Sequence, residues 1–162
     1  MKHTSARPAD RIEEMVYKYG DILFRICLIT LGNASDAEDA VQETMIKYLQ
    51  KVPEFENEEH EKAWLITVAV NKCRDILRYR KRHATVNIEE IKEYAKTDED
   101  SGILDALMKV PEKYRIVMVL YYIEEYSTKE IAQMIGKTTS AVKMRLQKGR
   151  TLLREIYRKE YM

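Results

Sequence analysis

A chain of 162 residues can form one mid-sized domain or two small ones, and its 45% hydrophobic and 34% charged residues are typical of soluble globular helices. Five glycines and three prolines are few for this length, so the composition favours helix nearly throughout and predicts an all-α fold. No apolar run approaches the ~18 residues of a membrane span, and the N-terminus lacks the apolar core of a signal peptide. These features exclude a membrane-inserted protein and predict a cytoplasmic one.

The first half of the chain shows the apolar three-four spacing of three amphipathic helices. The first is predicted over residues 11–31. The second, over 35–52, is expected to start at Ser35, whose hydroxyl caps the helix while Glu38 completes a capping box. The third is predicted from residue 61 to about residue 82. With their apolar sides turned inward, the three helices can share one core.

A polar, acidic run at residues 92–102 separates this half from the next, and such a run cannot bury enough surface to order itself. We therefore predict two small helical domains, residues 8–84 and 103–162, joined by a flexible linker at 85–102.

The second domain is predicted to contain a strongly apolar helix over residues 114–125, introduced by Pro111. Its C-terminal half has the pattern of a helix-turn-helix. A short helix at 128–135, with a Ser127 and Glu130 capping box, ends at Gly136, which supplies the left-handed turn residue.

A final helix, capped by Thr139 or Ser140, would follow this turn, with Val142 and Leu146 facing inward. Its outward face is polar and basic, and the candidate DNA-contacting residues are Ser140, Lys143, Met144, Arg145, Gln147, Lys148 and Arg150. In the major groove glutamine can pair with adenine and lysine with guanine, while the remaining cations can meet phosphates. A plain three-helix core with a basic rim is the alternative, but it leaves the polar face between the cations unexplained.

The formal net charge of +1 conceals a strong separation of charges along the chain. Residues 71–82 hold six basic side chains against one acidic, and residues 143–159 hold seven against one. Acidic residues cluster instead at 36–43 and 54–61. Two basic stripes indicate two contacts with a polyanion, and the acidic blocks indicate a basic protein partner. Each run taken alone is equally consistent with a solvated helix face.

Polar groups of mixed type also share one face of the third helix: Asn71, Arg74, Asp75 and Arg78. Amide, carboxylate and guanidinium groups together can hydrogen-bond base edges, whereas a purely basic stripe would only track phosphates. In the loop before this helix, Phe55 and Asn57 can offer a stacking surface and a hydrogen-bonding group to an unstacked base. Aromatic residues such as Phe55 and Trp64 are more often part of a core than a platform for a ligand, and this holds more strongly for Trp64.

Acidic and amide groups recur on the second helix, where Asp39, Gln42 and Glu43 share a face and Asp36 lies one turn earlier. This face can dock on a basic helical surface. Acidic residues near a helix N-terminus also compensate the helix dipole, so the spacing alone leaves both interpretations open.

Five segments together resemble the extracytoplasmic-function sigma factors, group 4 of the sigma-70 family of RNA polymerase subunits. They are Asp-Ala-Glu-Asp-Ala-Val-Gln-Glu-Thr at 36–44, Trp-Leu at 64–65, Ala-Val-Asn at 69–71, Ser-Thr-Lys-Glu-Ile-Ala at 127–132, and residues 142–150. The resemblance covers nearly the whole chain, and it rests on the order and spacing of these motifs.

The resemblance implies an alternative sigma factor that binds core RNA polymerase and directs promoter recognition and melting. It assigns contacts with the polymerase clamp coiled coil to Asp36, Asp39, Gln42, Glu43 and Leu49. It assigns the minus-ten promoter element to Asn71 and its helical neighbours, capture of a flipped base to loop 55–59, the minus-35 element to the final helix, and the polymerase flap to residues 114–123. It also implies an anti-sigma factor as inhibitor, with no cofactor and no catalytic residue.

Two departures from the family pattern affect these expectations. Gly149 stands where the family usually has alanine, which costs about 1 kcal/mol of helix propensity and is expected to bend the recognition helix. The capture loop, residues 54–59, is strongly acidic, and this charge opposes a tight contact with a nucleic-acid backbone.

Two other classes of function are alternatives to a sigma factor. A dimeric helix-turn-helix regulator would bind palindromic duplex DNA tightly without polymerase. An enzyme is disfavoured because no Ser/His/Asp, Cys/His or metal-binding cluster is evident, and the isolated Cys27 and Cys73 are predicted to be buried, reduced thiols.

Overall fold

The structure is a computed structural model, and it describes residues 8–51, 54–79 and 98–161. Within these residues helix predominates and no strand occurs, which confirms the all-α class. The helices are α1 Pro8–Leu31, α2 Ala34–Lys51, α3 Glu58–Tyr79, α4 Asp98–Met108, α5 Glu112–Met118, α6 Thr128–Ile135 and α7 Thr139–Tyr161. None of these helices is long and apolar enough to cross a membrane.

Helices α1, α2 and α3 pack against one another around a shared apolar core, as predicted. Leu23 and Ile26 of α1 and Leu65 and Ile66 of α3 are almost completely buried. Each such side chain contributes about 1.5–3 kcal/mol relative to an exposed one. Both cysteines are buried in this core and form no disulfide, which agrees with the sequence-based expectation.

The cap of α2 differs from the prediction. The helix begins at Ala34, and the Asn33 side chain, not that of Ser35, accepts a hydrogen bond from the Asp36 backbone N–H at 2.8 Å. The Asn33 amide in turn donates to the Asp36 carboxylate at 3.1 Å. The predicted box of Ser35 with Glu38 is therefore wrong, because an equivalent pair two residues earlier satisfies the first turn.

Two further helix starts lie earlier than predicted. Helix α3 begins at Glu58 because Asn57 Oδ1 accepts a hydrogen bond from the His60 backbone N–H at 2.8 Å. Helix α7 is capped by Thr138, whose Oγ1 accepts from the Ala141 N–H at 3.0 Å, and not by either of the two residues that follow it.

Helix α4 begins inside the predicted linker of residues 85–102. Residues 98–102 are helical, and Gly102 is buried where an added Cβ would lie 3.5 Å from the Tyr161 ring. The acidic run is ordered at this end because the apolar residues after it pack α4 against α7. The remainder of the linker, residues 85–97, lies outside the described residues.

The apolar helix predicted over 114–125 is α-helical only to Met118 and continues as a π-helical turn, Val119–Ile123. The chain then leaves the helix through Glu125, a non-glycine residue with a positive φ of 61°. The wider turn leaves Tyr121, Tyr122 and Ile123 partly exposed.

The helix-turn-helix is present as predicted. Ser127 and Glu130 form a reciprocal capping box at the start of α6, and Gly136 ends that helix in the left-handed conformation at φ 66°, ψ 38°. Val142 and Leu146 of α7 are buried against this unit. Helix α7 is therefore held at a fixed angle with its other face exposed.

Gly149 does not interrupt α7, which is continuous from Thr139 to Tyr161. The residue is buried, and an added Cβ would lie 2.5 Å from Met118 Sδ and 3.4 Å from Tyr114 Cβ. The bend expected at Gly149 is therefore not found. The glycine is explained by packing, because the lack of a side chain at this position allows α5 to lie close to α7.

We expect Gly149→Ala to lower the free energy of unfolding by about 1 kcal/mol, because overpacking exceeds the gain in helix propensity. In a Met118→Ala background the same substitution should raise it by about 1 kcal/mol, since the space is then open. Urea unfolding of the four proteins measures both effects. Equal effects in the two backgrounds would contradict the packing explanation.

Candidate nucleic-acid interface

The exposed face of α7 carries most of the residues predicted to contact DNA. Lys143, Gln147 and Lys148 are exposed, and Met144 is 70% exposed, an unusual environment for so large an apolar side chain. Ser140, at the start of the same helix, is also exposed. Since the first turns of a recognition helix are the part that enters a major groove, these side chains are available to a duplex.

The two flanking arginines of α7 differ from this group. Arg145 is half-buried, and Arg150 donates a hydrogen bond to the Tyr122 hydroxyl at 3.1 Å. Arg150 therefore links α7 to the π-helical turn. Its guanidinium still has exposed surface and further donors for a phosphate.

On α3, three of the four predicted base-reading residues are exposed: Asn71, Asp75 and Arg78. Asp75 and Arg78 form an ion pair at 3.4 Å, as expected for their spacing of three residues. Arg74 is different, because it is half-buried and its Nη1 donates to the Ile135 carbonyl oxygen of α6 at 2.7 Å. Arg74 therefore differs in its environment from the other three residues of the face, a difference that the sequence spacing did not indicate. The basic residues 80–82 of the same stripe lie outside the described residues.

The Phe55 side chain, in the loop before α3, is both packed in an aromatic cluster and open to a cavity. Its ring stacks parallel to that of Tyr48, with centroids 6.4 Å apart, and meets Trp64 edge-on at 5.8 Å. The Phe55 side chain is nevertheless only half-buried, and it also lines a cavity. Tyr48 is the buried member of this aromatic cluster, and Trp64, like Phe55, is partly buried and packs against the core.

This cavity has a volume of about 360 Å³, within the range of small-ligand pockets. Its walls come from α1, α2, the loop and the first turn of α3, and include Arg11, Met15, Lys18, Tyr48, Phe55 and Asn57 together with the carboxylates of Glu14, Glu56, Glu58 and Glu61. Asn57 Oδ1 is occupied by the cap of α3, so the side-chain group left to read a ligand is the Nδ2 amide. The contribution of α1 to the pocket was missed, because nothing in the spacing connects it with a loop some 40 residues later.

The acidic charge of the loop is partly neutralised by neighbouring helices. Lys18 of α1 pairs with Glu58 at 3.1 Å, and Tyr48 donates to Glu61 Oε2 at 2.9 Å. Burial, followed by the hydrogen bond to Glu61, raises the pKa of Tyr48, so its hydroxyl remains a donor. Hydrogen bonds to Glu58 and then to Glu14 raise the pKa of Lys18 and keep it cationic. The electrostatic objection to nucleic-acid contact is therefore reduced at Glu58, whereas the carboxylates of Glu54, Glu56 and Glu59 remain exposed at this loop.

Helix α2 presents a second exposed surface, of different chemistry. Asp39 and Gln42 are exposed and Glu43 is half-exposed, while Asp36 takes part in the helix cap. On the same face, Ile46 is 47% exposed and Leu49 is 40% exposed. Ile46 comes three residues after Glu43 and seven after Asp39, a spacing that puts it on the acidic face. The surface is therefore an acidic rim beside an apolar centre.

The C-terminal unit contains an open apolar groove of about 590 Å³. The π-helical turn contributes Tyr122 and Ile123, which belong to the segment assigned to the polymerase flap. The groove is completed by Met118 and Val119, by the cationic Arg150 and Arg154 of α7, and by further residues of α4 and α7: Ile103, Leu104, Leu107, Leu153 and Tyr157. Within the described residues no cluster of His, Cys, Asp and Glu is suited to a metal ion.

Comparison with known families accounts for both halves of the chain. Residues 15–83 match the model of sigma-70 region 2, and residues 101–153 match that of sigma-70 region 4. The chain is 31% identical to the RNA polymerase sigma factor SigV of Bacillus subtilis, over 81% of each protein. It is 28% identical to the ECF RNA polymerase sigma factor SigW of the same organism, over 96% of this chain and 93% of the relative.

A solved structure shares the fold. The sigma factor RpoE of Bartonella quintana, crystallised with the anti-sigma factor NepR, superposes with a TM-score of 0.72 over 93% of this chain and 98% of the other. The two sequences are 21% identical.

Proposed function

Because the chain belongs to the extracytoplasmic-function sigma factors of the sigma-70 family, which direct transcription initiation, we propose specific roles for its exposed surfaces. In this proposal α3 and its preceding loop recognise and open the minus-ten element, and α7 reads the minus-35 element. Helix α2 and the apolar groove hold core RNA polymerase. The protein acts in the cytoplasm through binding, without catalysing a covalent step itself.

The minus-ten role is supported by two separate features, the polar face of α3 and the pocket at its preceding loop. Asn71, Asp75 and Arg78 offer donors and acceptors to base edges, and the cavity next to Phe55 can take a base out of the stack. Unstacking a base costs a few kcal/mol per step, an amount that a pocket with stacking and hydrogen-bonding groups can return. Capture of this kind opens duplex DNA without nucleotide hydrolysis.

The minus-35 role is supported by the exposed face of α7. Gln147 and Lys143 lie one turn apart, and each can pair with a base edge in the major groove. Lys148 and Arg150 lie beside them and can contact phosphates, which positions the helix without reading sequence.

The polymerase-binding role is supported by the composition of the α2 surface. An apolar centre at Ile46 and Leu49 with an acidic rim at Asp39 and Glu43 resembles the anatomy of a protein interface. Its charge complements a basic partner such as the clamp coiled coil that the family resemblance assigns to it. The groove on the C-terminal unit is suited to an apolar helix, such as that of the flap, and an anti-sigma factor would inhibit the protein by covering these surfaces.

The single observation that carries the proposal is the presence of two separate polar, DNA-suited helical faces, on α3 and α7, within one sigma-family chain. The test begins with promoter fragments selected from genomic DNA by core polymerase carrying the wild-type chain. Permanganate footprinting then detects unpaired thymines in those fragments. Melting should require both polymerase and chain, whereas tight dimeric binding to palindromic DNA by the chain alone would favour the rival regulator.

Reversing one charge on the recognition face should strongly reduce this melting. We expect Lys143→Glu to reduce promoter opening at least tenfold, because it removes a base contact and places a carboxylate near phosphates. Lys159→Glu is the matched control, since it makes the same charge change about 24 Å further along α7. Equal losses for both variants would indicate a general charge effect and would overturn the assignment of α7.

A further inference from the structure

Arg150 of α7 lies between two cavities of the C-terminal unit. On one side it lines the apolar groove, together with Tyr122. On the other side it lines a second cavity, of about 520 Å³, which is formed by Tyr121, the start of α6 and the exposed face of α7 and which we call the recognition cleft. Lys143 and Gln147, two candidate base-contacting residues, also line this cleft. One side chain therefore belongs both to the groove assigned to polymerase and to the surface assigned to DNA.

Two neighbouring tyrosines of the π-helical turn are divided between the same two cavities. Tyr122 lines the groove and Tyr121 lines the recognition cleft, and their rings meet edge-on with centroids 5.0 Å apart. Tyr121 is 38% exposed and Tyr122 is 50% exposed, so each ring is accessible to a ligand on its own side. Single π-helical turns are rare and often occur at functional sites. This turn presents one aromatic ring to each cavity.

A hydrogen bond joins Arg150 to the tyrosine on the groove side. Arg150 Nη1 donates to the Tyr122 hydroxyl at 3.1 Å. Because a guanidinium has five N–H donors, one such bond is compatible with a simultaneous contact to a phosphate. An arginine side chain loses much rotamer freedom when it is ordered for a contact, and a bond that already restricts it lowers that cost. The Tyr122 hydroxyl therefore orients Arg150 before DNA arrives.

A ligand in the groove strengthens this arrangement. A helix seated there covers the Tyr122 ring, limits its rotation and keeps water from the bond between the hydroxyl and the guanidinium. A hydrogen bond in a less polar environment is electrostatically stronger than one in water. Arg150 is then ordered when the groove is filled, so DNA that needs the same ordered side chain binds with a smaller loss of entropy. By linkage, DNA strengthens binding in the groove by the same factor.

The second cation of the groove keeps this effect from being reversed. Arg154 lies one turn further along α7, is exposed and lines the groove. A carboxylate on the helix that fills the groove can pair with Arg154, so it does not need to draw Arg150 away from the recognition cleft. The two arginines therefore divide between the two cavities.

We propose that Tyr122 is a positioning residue for promoter DNA, which holds Arg150 towards the recognition cleft and so couples occupation of the groove to the contact of α7 with the DNA backbone. The coupling is positive, so each ligand strengthens binding of the other. The identity of the two ligands, polymerase and duplex DNA, rests on the proposed function. The coupling links two surfaces that would otherwise act independently.

A double-mutant cycle in the reconstituted holoenzyme tests the role of Tyr122. Tyr122→Phe removes only the hydroxyl, and Arg150→Ala removes the guanidinium. Promoter fragments selected with the wild-type chain are titrated with each holoenzyme. Tyr122→Phe should weaken promoter binding about three- to fivefold in the wild-type background but less than about 1.5-fold in the Arg150→Ala background, because the hydroxyl then has no guanidinium to hold. Equal losses in both backgrounds, or no loss in either, would overturn the positioning role.

The salt dependence of the same titrations tests the phosphate contact on which the cycle depends. Loss of one phosphate contact should lower the slope of log affinity against log salt concentration by about 0.9, and this is the change expected for Arg150→Ala. Tyr17→Phe is the matched control for Tyr122→Phe, because it removes a hydroxyl from a tyrosine of α1 that is 90% exposed. It should change neither affinity nor slope. An unchanged slope and affinity for Arg150→Ala would count against the proposed function at this residue.

The coupling is measured with a second core polymerase that lacks the flap helix, so that nothing fills the groove. With this core, Tyr122→Phe should weaken promoter binding by no more than about 1.5-fold, compared with about three- to fivefold for the intact core. The same loss with both cores would show that the groove and the recognition cleft are not coupled. Failure of the wild-type chain to direct promoter binding even with the intact core would instead overturn the proposed function.

Discussion

Reversing both carboxylates on the exposed face of α2, in the variant D39K/E43K, should weaken binding to core polymerase by about 100-fold or more, equivalent to about 2.7 kcal/mol. Like charges placed across an interface cost several kcal/mol, and both side chains lie at the rim of the apolar centre formed by Ile46 and Leu49. Fluorescence anisotropy of the labelled chain titrated with core polymerase measures the change.

The matched control for this variant is E13K/D21K, which makes the same charge change at two exposed positions of α1. It should lower affinity by less than about threefold, since surface charges far from an interface act weakly across a Debye length. Truncation of the apolar centre by Ile46→Ala should weaken binding by roughly tenfold, the cost of losing one well-placed interface side chain. If D39K/E43K and its control bind equally well, α2 is not the docking surface.

The sequence was a good guide wherever one local pattern decides the outcome. The capping box at Ser127, the left-handed Gly136 and the buried pair of α7 were all predicted, because each depends on residues within a few positions of one another. The start of α2 was misplaced because Asn33 with Asp36 and Ser35 with Glu38 are both good capping pairs. The local sequence does not distinguish between these two pairs.

Features that depend on distant residues were not predictable in this way. Gly149 is needed because Met118, 31 residues earlier in the chain, packs against its backbone. Helix propensity alone does not show this contact, and it indicated a bend instead. The outward position of Ile46 depends on which face of α2 meets α1 and α3. The hydrogen bond from Arg74 to the Ile135 carbonyl joins residues 61 positions apart. No local pattern could show that Arg74, a candidate DNA-contacting residue, is bonded within the protein.

Replacing Arg115 should lower the stability of the fold more than any other single substitution named above. Arg115 is 3% exposed, and it donates to the carbonyls of Met108 at 2.7 Å, Val110 at 3.2 Å and Thr30 at 2.7 Å. Methionine would fill much of the same volume but would leave these three acceptors without their donor. Each unsatisfied buried acceptor costs about 1–3 kcal/mol, and part of this is offset because a buried cation is no longer desolvated.

We therefore expect Arg115→Met to lower the free energy of unfolding by about 3 kcal/mol, and the melting temperature by about 10 °C for a chain of this size. Arg115→Lys should recover only part of the loss, because one ammonium cannot reproduce the planar fork that reaches carbonyls in two different units. Arg158→Met, on the exposed end of α7, is the control and should change stability by less than about 0.5 kcal/mol. Calorimetry of the three variants would contradict this assignment if Arg115→Met melted within 2 °C of the wild type, about the effect expected for loss of a single weak surface contact.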